Sequence, residues 1–190
     1  MNAPLPLFPG PSAGFDEPVE MLEACHQRVL RMLALLERLA AHLVDAGADA
    51  SARQAAIDLK RYFDVAAVHH HDDEERHVLP LLGRLGRHAL ALRLFEEHRS
   101  LSAAWSRIRS ELDAVQDGRL PDSAREPREA RWREFADRYR AHIALEEGTV
   151  HPLLGAALDE TLRREMGEDM ARRRGARMPG DAADPPQPGA

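Results

Sequence analysis

Two His-x3-Glu motifs are the most informative feature of this 190-residue chain: His70 with Glu74, and His142 with Glu146. Residues four apart lie on the same face of an α-helix, so each motif presents an imidazole and a carboxylate side by side. Imidazole nitrogens and carboxylate oxygens are common ligands of iron, manganese and zinc. The chemistry that these residues predict is metal binding.

The motifs belong to an internal repeat with an offset of 72 residues. Residues 62–83 align without a gap with residues 134–155, and both segments end in Pro-Leu-Leu-Gly. The same offset carries His26 onto His98. Each half is therefore predicted to be a helical hairpin, with one histidine on its first helix and a His-x3-Glu motif on its second.

Apolar residues recur at helical spacing in four long segments, and no segment alternates like a strand, so the predicted class is all-α. The helices are predicted from Asp16, a candidate N-cap, to Gly47; from Asp49 or Ser51 to Pro80 and Gly83; from about Arg87 to Gly118; and, after a loop with Pro121 and Pro127, up to Pro152 and Gly155. On the second helix, Ile57, Phe63 and Ala66 are predicted to share the inward face of His70.

The domain prediction is one helical core with tails. Residues 1–15 are expected to form an irregular leader, residues 16–156 the bundle, residues 157–174 a short charged C-terminal helix, and residues 175–190 a disordered tail. The proline-rich start and the Pro, Gly and Asp content of the end support these boundaries.

Residues equidistant from the turn of an antiparallel hairpin lie at the same height. The midpoints of His26 and His70, of His70 and His98, and of His98 and His142 are positions 48, 84 and 120, all in predicted turns. An up-down-up-down four-helix bundle would bring the four histidines into one layer, with the two glutamates one turn along. Burying these groups is costly unless metal ions pair with them. Two ions could each take two histidines and share both glutamates, with iron favoured and manganese or zinc as alternatives.

This pattern resembles the hemerythrin-like HHE cation-binding family over roughly residues 16–156. The resemblance is carried by His26, His70-x3-Glu74, His98 and His142-x3-Glu146, with Glu-Glu doublets and a proline after each second motif. It implies a four-helix bundle around a non-heme di-iron centre in which Glu74 and Glu146 bridge the two iron ions.

Two positions depart from the oxygen-carrying hemerythrins. Those proteins have a second histidine four residues after the helix 3 histidine, where Ser102 stands here, and an aspartate at the position of Glu147. These departures argue against simple reversible oxygen transport. The symmetric set looks more like the iron-sulfur-centre repair proteins of the family, although these usually carry an N-terminal cysteine-bearing domain that the present sequence lacks.

Two further residues are candidates for the surroundings of the metals. Tyr139 lies three residues before His142 and is expected to line the pocket, where its phenol could hydrogen-bond a bound oxygen species. His77 lies seven residues after His70 on the same face and is a candidate outer donor, although a structural role is favoured.

Four residues next to the motifs are expected to point away from the core. Glu75 and Glu147 stand five residues after their histidines, which predicts exposed or salt-bridging side chains. His69 and His71 flank His70 at about 100° on a helix and are predicted to be solvated.

Composition narrows the function classes. A net charge of −6 and a pI near 5.9 argue against a nucleic-acid surface. Apolar runs are far shorter than the roughly 20 residues that a membrane span needs, and no Lys or Arg precedes Arg28 to form a signal-peptide n-region. A single cysteine, Cys25, excludes an internal disulfide. A cytoplasmic protein is predicted.

The preferred functional hypothesis is a di-iron protein that binds or reacts with O2, NO or peroxide, in iron-centre repair or in oxidative or nitrosative stress. The alternative is an iron or oxygen sensor that works without turnover, through a protein partner or a homo-oligomer. A structural bundle that uses zinc is the third interpretation. The pattern leaves open whether the chain is an enzyme.

Overall fold

The computed structural model describes residues 14–122 and 125–176. All regular elements within these ranges are helical, which confirms the all-α prediction. None of the helices described here combines the length and apolar character that a bilayer crossing requires. The predictions for residues 1–13 and 177–190 lie outside the described residues.

Four long helices and one short one make up the described chain. The first is α1, Pro18–Asp45, and the third is α5, His88–Gln116. The second long helix, residues 50–84, runs without a break through α2 (Ala50–Arg61), π1 (Tyr62–Ala66), α3 (Ala67–Asp73), π2 (Glu74–Val78) and α4 (Leu79–Arg84). The fourth, residues 125–157, joins α6 (Arg125–Leu145), π3 (Glu146–Val150) and α7 (His151–Ala157). The short helix is α8, Glu160–Arg173.

The helix boundaries agree with the predictions at the turns and differ at two starts. Asp49 caps α2 by accepting a hydrogen bond from the backbone N–H of Ala52 at 2.8 Å. Asp16 is not the N-cap of α1, which begins with proline at position 18 and has no side-chain cap. Pro127 lies in the first turn of α6 rather than in the loop. Proline is tolerated there because the first N–H groups of a helix have no partner within the helix.

Each long helix packs against the next in sequence, and the fourth also packs against the first. Their buried apolar residues form two clusters, one on each side of the predicted histidine layer. Phe63 belongs to the larger cluster, as predicted, whereas Ile57 is 40% exposed and the prediction for it was wrong. Helical periodicity located the inward face only to within one position at this end of the helix.

The π-helical turns keep an unusual row of residues facing inward. In both repeats the buried residues follow at steps of four: His70, Glu74, Val78 and Leu82 in the first, and His142, Glu146, Val150 and Leu154 in the second. Steps of four overshoot a regular α-helical turn by about 40° each, or about 120° over three steps. The i→i+5 hydrogen bonds that close π2 and π3 add one residue to the turn and absorb this drift.

Contacts join the C-terminal helix α8 to the first half of the chain. Met166 and Met170 join the smaller apolar cluster. Arg173 and Arg174 form ion pairs with Asp73, whose side chain is completely buried. Two of the three consecutive arginines at this helix end are therefore held by a buried carboxylate on the second long helix.

Candidate metal centre

The structure brings the six predicted ligands together in one layer, where each is at most 2% exposed. His26 Nε2 lies 3.1 Å from His70 Nε2 and 3.1 Å from Glu146 Oε2. His142 Nε2 lies 3.2 Å from Glu146 Oε1. His98 Nε2 and Glu74 Oε2 are 3.4 Å apart, which closes the cluster from the other side.

The donor atoms fall into two overlapping groups, and within each group all of them lie within 4.8 Å of one another. One group is formed by His26, His70, Glu74 and Glu146, and the other by His71, Glu74, His98 and His142. Because Glu74 belongs to both groups, it is placed to bridge two ions.

Unpartnered polar atoms show that this cluster suits a cation. Glu74 Oε2, Glu146 Oε2, His98 Nε2 and His142 Nε2 are buried and make no hydrogen bond, and their contacts of 3.1–3.4 Å are with other members of the same cluster. Such groups are costly to bury unless something pairs with them. Histidine nitrogens and carboxylate oxygens that lack partners at one point are the donor set of a metal site, so the residues present fit the predicted metal pair.

Carboxylates from neighbouring helices hold the outer nitrogens of three histidines. His26 Nδ1 lies 3.1 Å from Glu147 Oε1, and His98 Nδ1 lies 3.0 Å from Glu75 Oε1. Such partners orient a histidine ligand and leave its other nitrogen free for the metal. Glu75 and Glu147 are part-exposed, as predicted, but each also contacts a histidine of the layer, which the prediction that they point away from the core did not include.

The third outer carboxylate is Glu97, whose Oε2 lies 2.8 Å from His142 Nδ1. Sequence reasoning missed it, because Glu97 lies on α5 and contacts a histidine of the fourth long helix. Spacing along one helix carries no signal for such a contact. The matching nitrogen of the first half, His70 Nδ1, is buried without a partner.

His71 is not solvated, and this prediction was wrong. Its ring stacks on that of His98, with centroids 4.1 Å apart and planes at 7°. Burial and the positive charge that His98 can carry hold the pKa of His71 well below its usual range, so the ring is neutral. The inward turn of the second long helix at α3 thus brings two consecutive histidines, His70 and His71, against the site, whereas His69 is half-buried.

Tyr139 and His77, the two candidates for the surroundings of the metals, lie in different places. Tyr139 is buried beside the layer, with its Oη 2.9 Å from His71 Nε2. His77 Nε2 lies 2.9 Å from Asp169 Oδ2, so this histidine links the second long helix to α8 and is not brought into the ligand cluster.

One more histidine at the site had no sequence signal. His151 is buried and stacks on His26, with ring centroids 5.3 Å apart and planes at 8°. Its Nδ1 lies 3.3 Å from Glu23 Oε1, while its Nε2 has no partner. The repeat gave no hint of it, because the corresponding residue of the first half is Leu79.

Electrostatics distinguish the two central carboxylates. Burial raises the pKa of Glu74, and the charge of Glu146 raises it further, to about 7. Burial also disfavours ionised Glu146, but contacts from His142 and His26 outweigh this and hold its pKa well below the usual range. Burial disfavours charged His98, yet Glu146 and Glu74 raise its pKa to about 10. Metal ions would displace such protons, since they bind neutral imidazoles and ionised carboxylates.

A mainly apolar cavity of about 210 Å³ lies beside this layer, between the second, third and fourth long helices. Its lining includes His71 and Tyr139, and Ser102 and Ser106 contribute hydroxyl groups. The remaining lining residues are Phe63, Ala67, Val68, Leu101, Trp105 and Phe135. The cavity is large enough for a molecule of a few atoms, and its walls favour an uncharged one.

Comparison with known proteins agrees with this geometry. The profile of the hemerythrin HHE cation binding domain matches residues 17–154. The chain is also 30% identical over 170 residues to an uncharacterised protein of Haemophilus influenzae, a match that covers 88% of this chain and 96% of that protein. A helical protein with a buried histidine and glutamate cluster is thereby placed among cation-binding domains, and the chain belongs to the hemerythrin HHE family.

Proposed function

We propose that this protein holds a carboxylate-bridged pair of iron ions and uses it to bind or react with O2, NO or peroxide. Its four long helices would run alternately up and down around the pair. The ligands would be His26, His70, Glu74, His98, His142 and Glu146. The observation that carries the proposal is the convergence of buried donor atoms without hydrogen-bond partners on one point.

The surrounding residues support a role with a small ligand. When bound, an iron pair supplies open coordination positions and electrons for O2, NO or peroxide. The apolar cavity gives such a ligand space beside the layer, next to His71, whose ring stacks on that of His98. The phenol of Tyr139, within the same wall, can donate a hydrogen bond to an oxygen atom held there.

The outer carboxylates fit a centre that changes its oxidation state. Glu75, Glu97 and Glu147 each accept from an outer histidine nitrogen and fix the ring position. Histidine ligands held in this way can retain both irons while the oxidation state of the irons changes. A cytoplasmic role in oxidative or nitrosative stress, or in iron-centre repair, is the setting we propose for this chemistry.

One observation favours a sensor as the second candidate. Asp73, which binds two arginines of the C-terminal segment, directly precedes Glu74 in the chain. Metal or ligand binding at Glu74 could thus alter how α8 is held, and a partner protein or a second copy could detect it without turnover.

Metal analysis of the full chain, purified without oxygen from iron-replete cells, tests the proposal. We expect about two irons per chain, and loss of iron in the double variant His70→Ala with His142→Ala. Retention of both irons in that variant, or zinc alone in the wild type, would contradict the proposed centre. Turnover of NO or peroxide by the iron-loaded protein supports the first candidate, and a metal-dependent change in α8 without turnover supports the sensor.

A further inference from the structure

The apolar cavity beside the histidine layer is larger than O2, NO or peroxide would need. Its volume is about 210 Å³. A cavity of about 150 Å³ is already sufficient for benzene. Val68, Ser102 and Ser106 line the cavity and are exposed, so it opens to solvent between the second and third long helices. An organic molecule with a six-membered ring can therefore enter it and fit.

Aromatic rings form the inner part of this cavity. Phe63, Trp105 and Phe135 line it and are buried. The ring centroid of Phe63 lies 4.7 Å from that of Trp105 and 5.5 Å from that of Phe135. Trp105 Nε1–H donates a hydrogen bond to Asp64 Oδ1 at 2.8 Å, which fixes the indole. Because aromatic pairs attract each other beyond the burial of their area, these walls favour an aromatic ring over an aliphatic one.

The polar groups of the lining suit a hydroxyl group and not a charge. Among the described residues that line the cavity, none is an Asp, Glu, Lys or Arg. A charged ligand would therefore lose hydration without gaining an ion pair. Tyr139 Oη lies 2.9 Å from His71 Nε2, and a phenolic oxygen has room for a second hydrogen bond. A hydroxyl group on a bound ring can take this second position.

The residues at the opening differ from those at the matching place of the other half. At the offset of 72 residues, Ser102 corresponds to Leu30, and Val68 corresponds to Arg140. Leu30 packs against the larger apolar cluster. Arg140 binds both carboxylate oxygens of Glu37, at 2.8 Å each, and so joins the fourth long helix to α1. Larger side chains thus occupy, beside α1, the positions that Val68 and Ser102 hold at the opening.

We propose that this cavity binds an uncharged molecule with one aromatic ring and one hydroxyl group, of which phenol is the simplest example. The ring packs against Phe63, Trp105 and Phe135, and the hydroxyl group bonds to Tyr139 Oη. This site goes beyond the proposed metal function and does not depend on it, because none of these contacts is made to a metal ion.

Equilibrium dialysis of the full chain against radiolabelled phenol, without oxygen, tests the site. We compare wild type with Ser102→Leu, which introduces the residue of the matching position at the opening. Ser110→Leu is the matched control, since Ser110 is exposed on the same helix and does not line the cavity. We expect the affinity for phenol to fall at least about tenfold in Ser102→Leu. In the control it should change less than about twofold.

Tyr139→Phe tests the hydroxyl contact, with toluene as a ligand of the same shape that lacks the hydroxyl group. The affinity for phenol should fall about tenfold and that for toluene should change less than about twofold. Equal losses for phenol and toluene would overturn the hydroxyl contact.

Benzoate, which has the same ring and a charge, tests the class of ligand. It should bind to the wild type at least about tenfold more weakly than phenol. Equal affinity for benzoate, an unchanged affinity for phenol in Ser102→Leu, or no binding of phenol to the wild type overturns the site. These outcomes leave the metal pair standing. Phenol binding by a chain that takes up no metal instead supports the site and contradicts the proposed function.

Discussion

The two halves of the repeat share their inner residues and differ in the residues that surround them. Both have the row of buried residues at steps of four and a π-helical turn that begins at the central glutamate. The second glutamate of each doublet also reaches across to the other half, Glu75 to His98 and Glu147 to His26. Each half therefore supplies the outer carboxylate for the first histidine of the other half, His98 or His26.

The differences concern the attachment of the C-terminal segment and the carboxylate that contacts His142. Asp73, which holds the C-terminal segment, corresponds to Leu145, and Glu97, which holds His142, corresponds to Cys25. The shared residues therefore form a symmetric set of proposed ligands, and the unmatched residues give its two sides different neighbours. This comparison teaches that the repeat predicts the clustered histidines and glutamates, whereas single positions outside it give the two sides different contacts.

The largest expected effect comes from giving the first half the residue of the second. In Asp73→Leu, the mainly buried side chains of Arg173 and Arg174 lose their carboxylate partner. Breaking a buried ion pair on one side costs about 3 kcal/mol. Urea unfolding of the metal-free protein should show this loss in the free energy of unfolding.

The control for that experiment is Arg172→Ala, since the Arg172 side chain is 72% exposed and pairs only with Asp169 among the described residues. We expect a change below about 0.5 kcal/mol for the control. A loss below about 1 kcal/mol in Asp73→Leu would show that Asp73 does not hold the C-terminal segment in solution.

A smaller effect is expected at the positions of Glu97 and Cys25. Glu97→Gln removes the carboxylate that holds His142, and we expect metal affinity to fall about tenfold. Cys25→Ser should change affinity less than twofold, because His70 Nδ1 makes no hydrogen bond for it to break. Competition titrations with Zn(II) measure both. Equal losses of metal affinity in the two variants would show that Glu97 and Cys25 do not make the two halves different.

The smallest effect concerns the acid sensitivity of the contact between α8 and the first half. Burial disfavours ionised Asp169, but hydrogen bonds from His77, Arg173 and Arg172 outweigh this and lower its pKa to about 2. Because the pKa is lowered on folding, the stabilisation is present above pH 4 and is lost as the pH falls through about 2.

Asp169→Asn should therefore lower the melting temperature by about 2 °C above pH 4, and the difference from wild type should shrink towards pH 2. Thermal unfolding monitored by circular dichroism between pH 2 and 6 measures it. Glu168→Gln, on the same helix with a side chain 50% exposed, is the control. A difference that stays constant with pH would assign the contact of Asp169 to packing instead of charge.

The sequence was sufficient for the fold class and for the layer of histidines, because the repeat and the turn positions restrict both. Glu97 and His151 could not be found in this way, since their contacts join residues 45 and 125 positions apart on different helices. His71 was misplaced because a regular α-helical angle was assumed next to a π-helical turn. The spacing of the buried row, one residue in every four, did indicate the π-helical turns. A regular α-helix cannot keep four residues at that spacing on one face.

The π-helical turns also limit how this site could be moved to another protein. A designer who grafts the ligands onto an idealised bundle would use helices of 3.5 or 3.6 residues per turn. On such helices the residues after Glu74 and Glu146 would rotate away, and Glu75 and Glu147 would lose the histidines of the opposite hairpin. The scaffold would therefore have to include the extra residue of each π-helical turn. A designer would have to copy the helix with its π-helical turn together with the side chains that it positions.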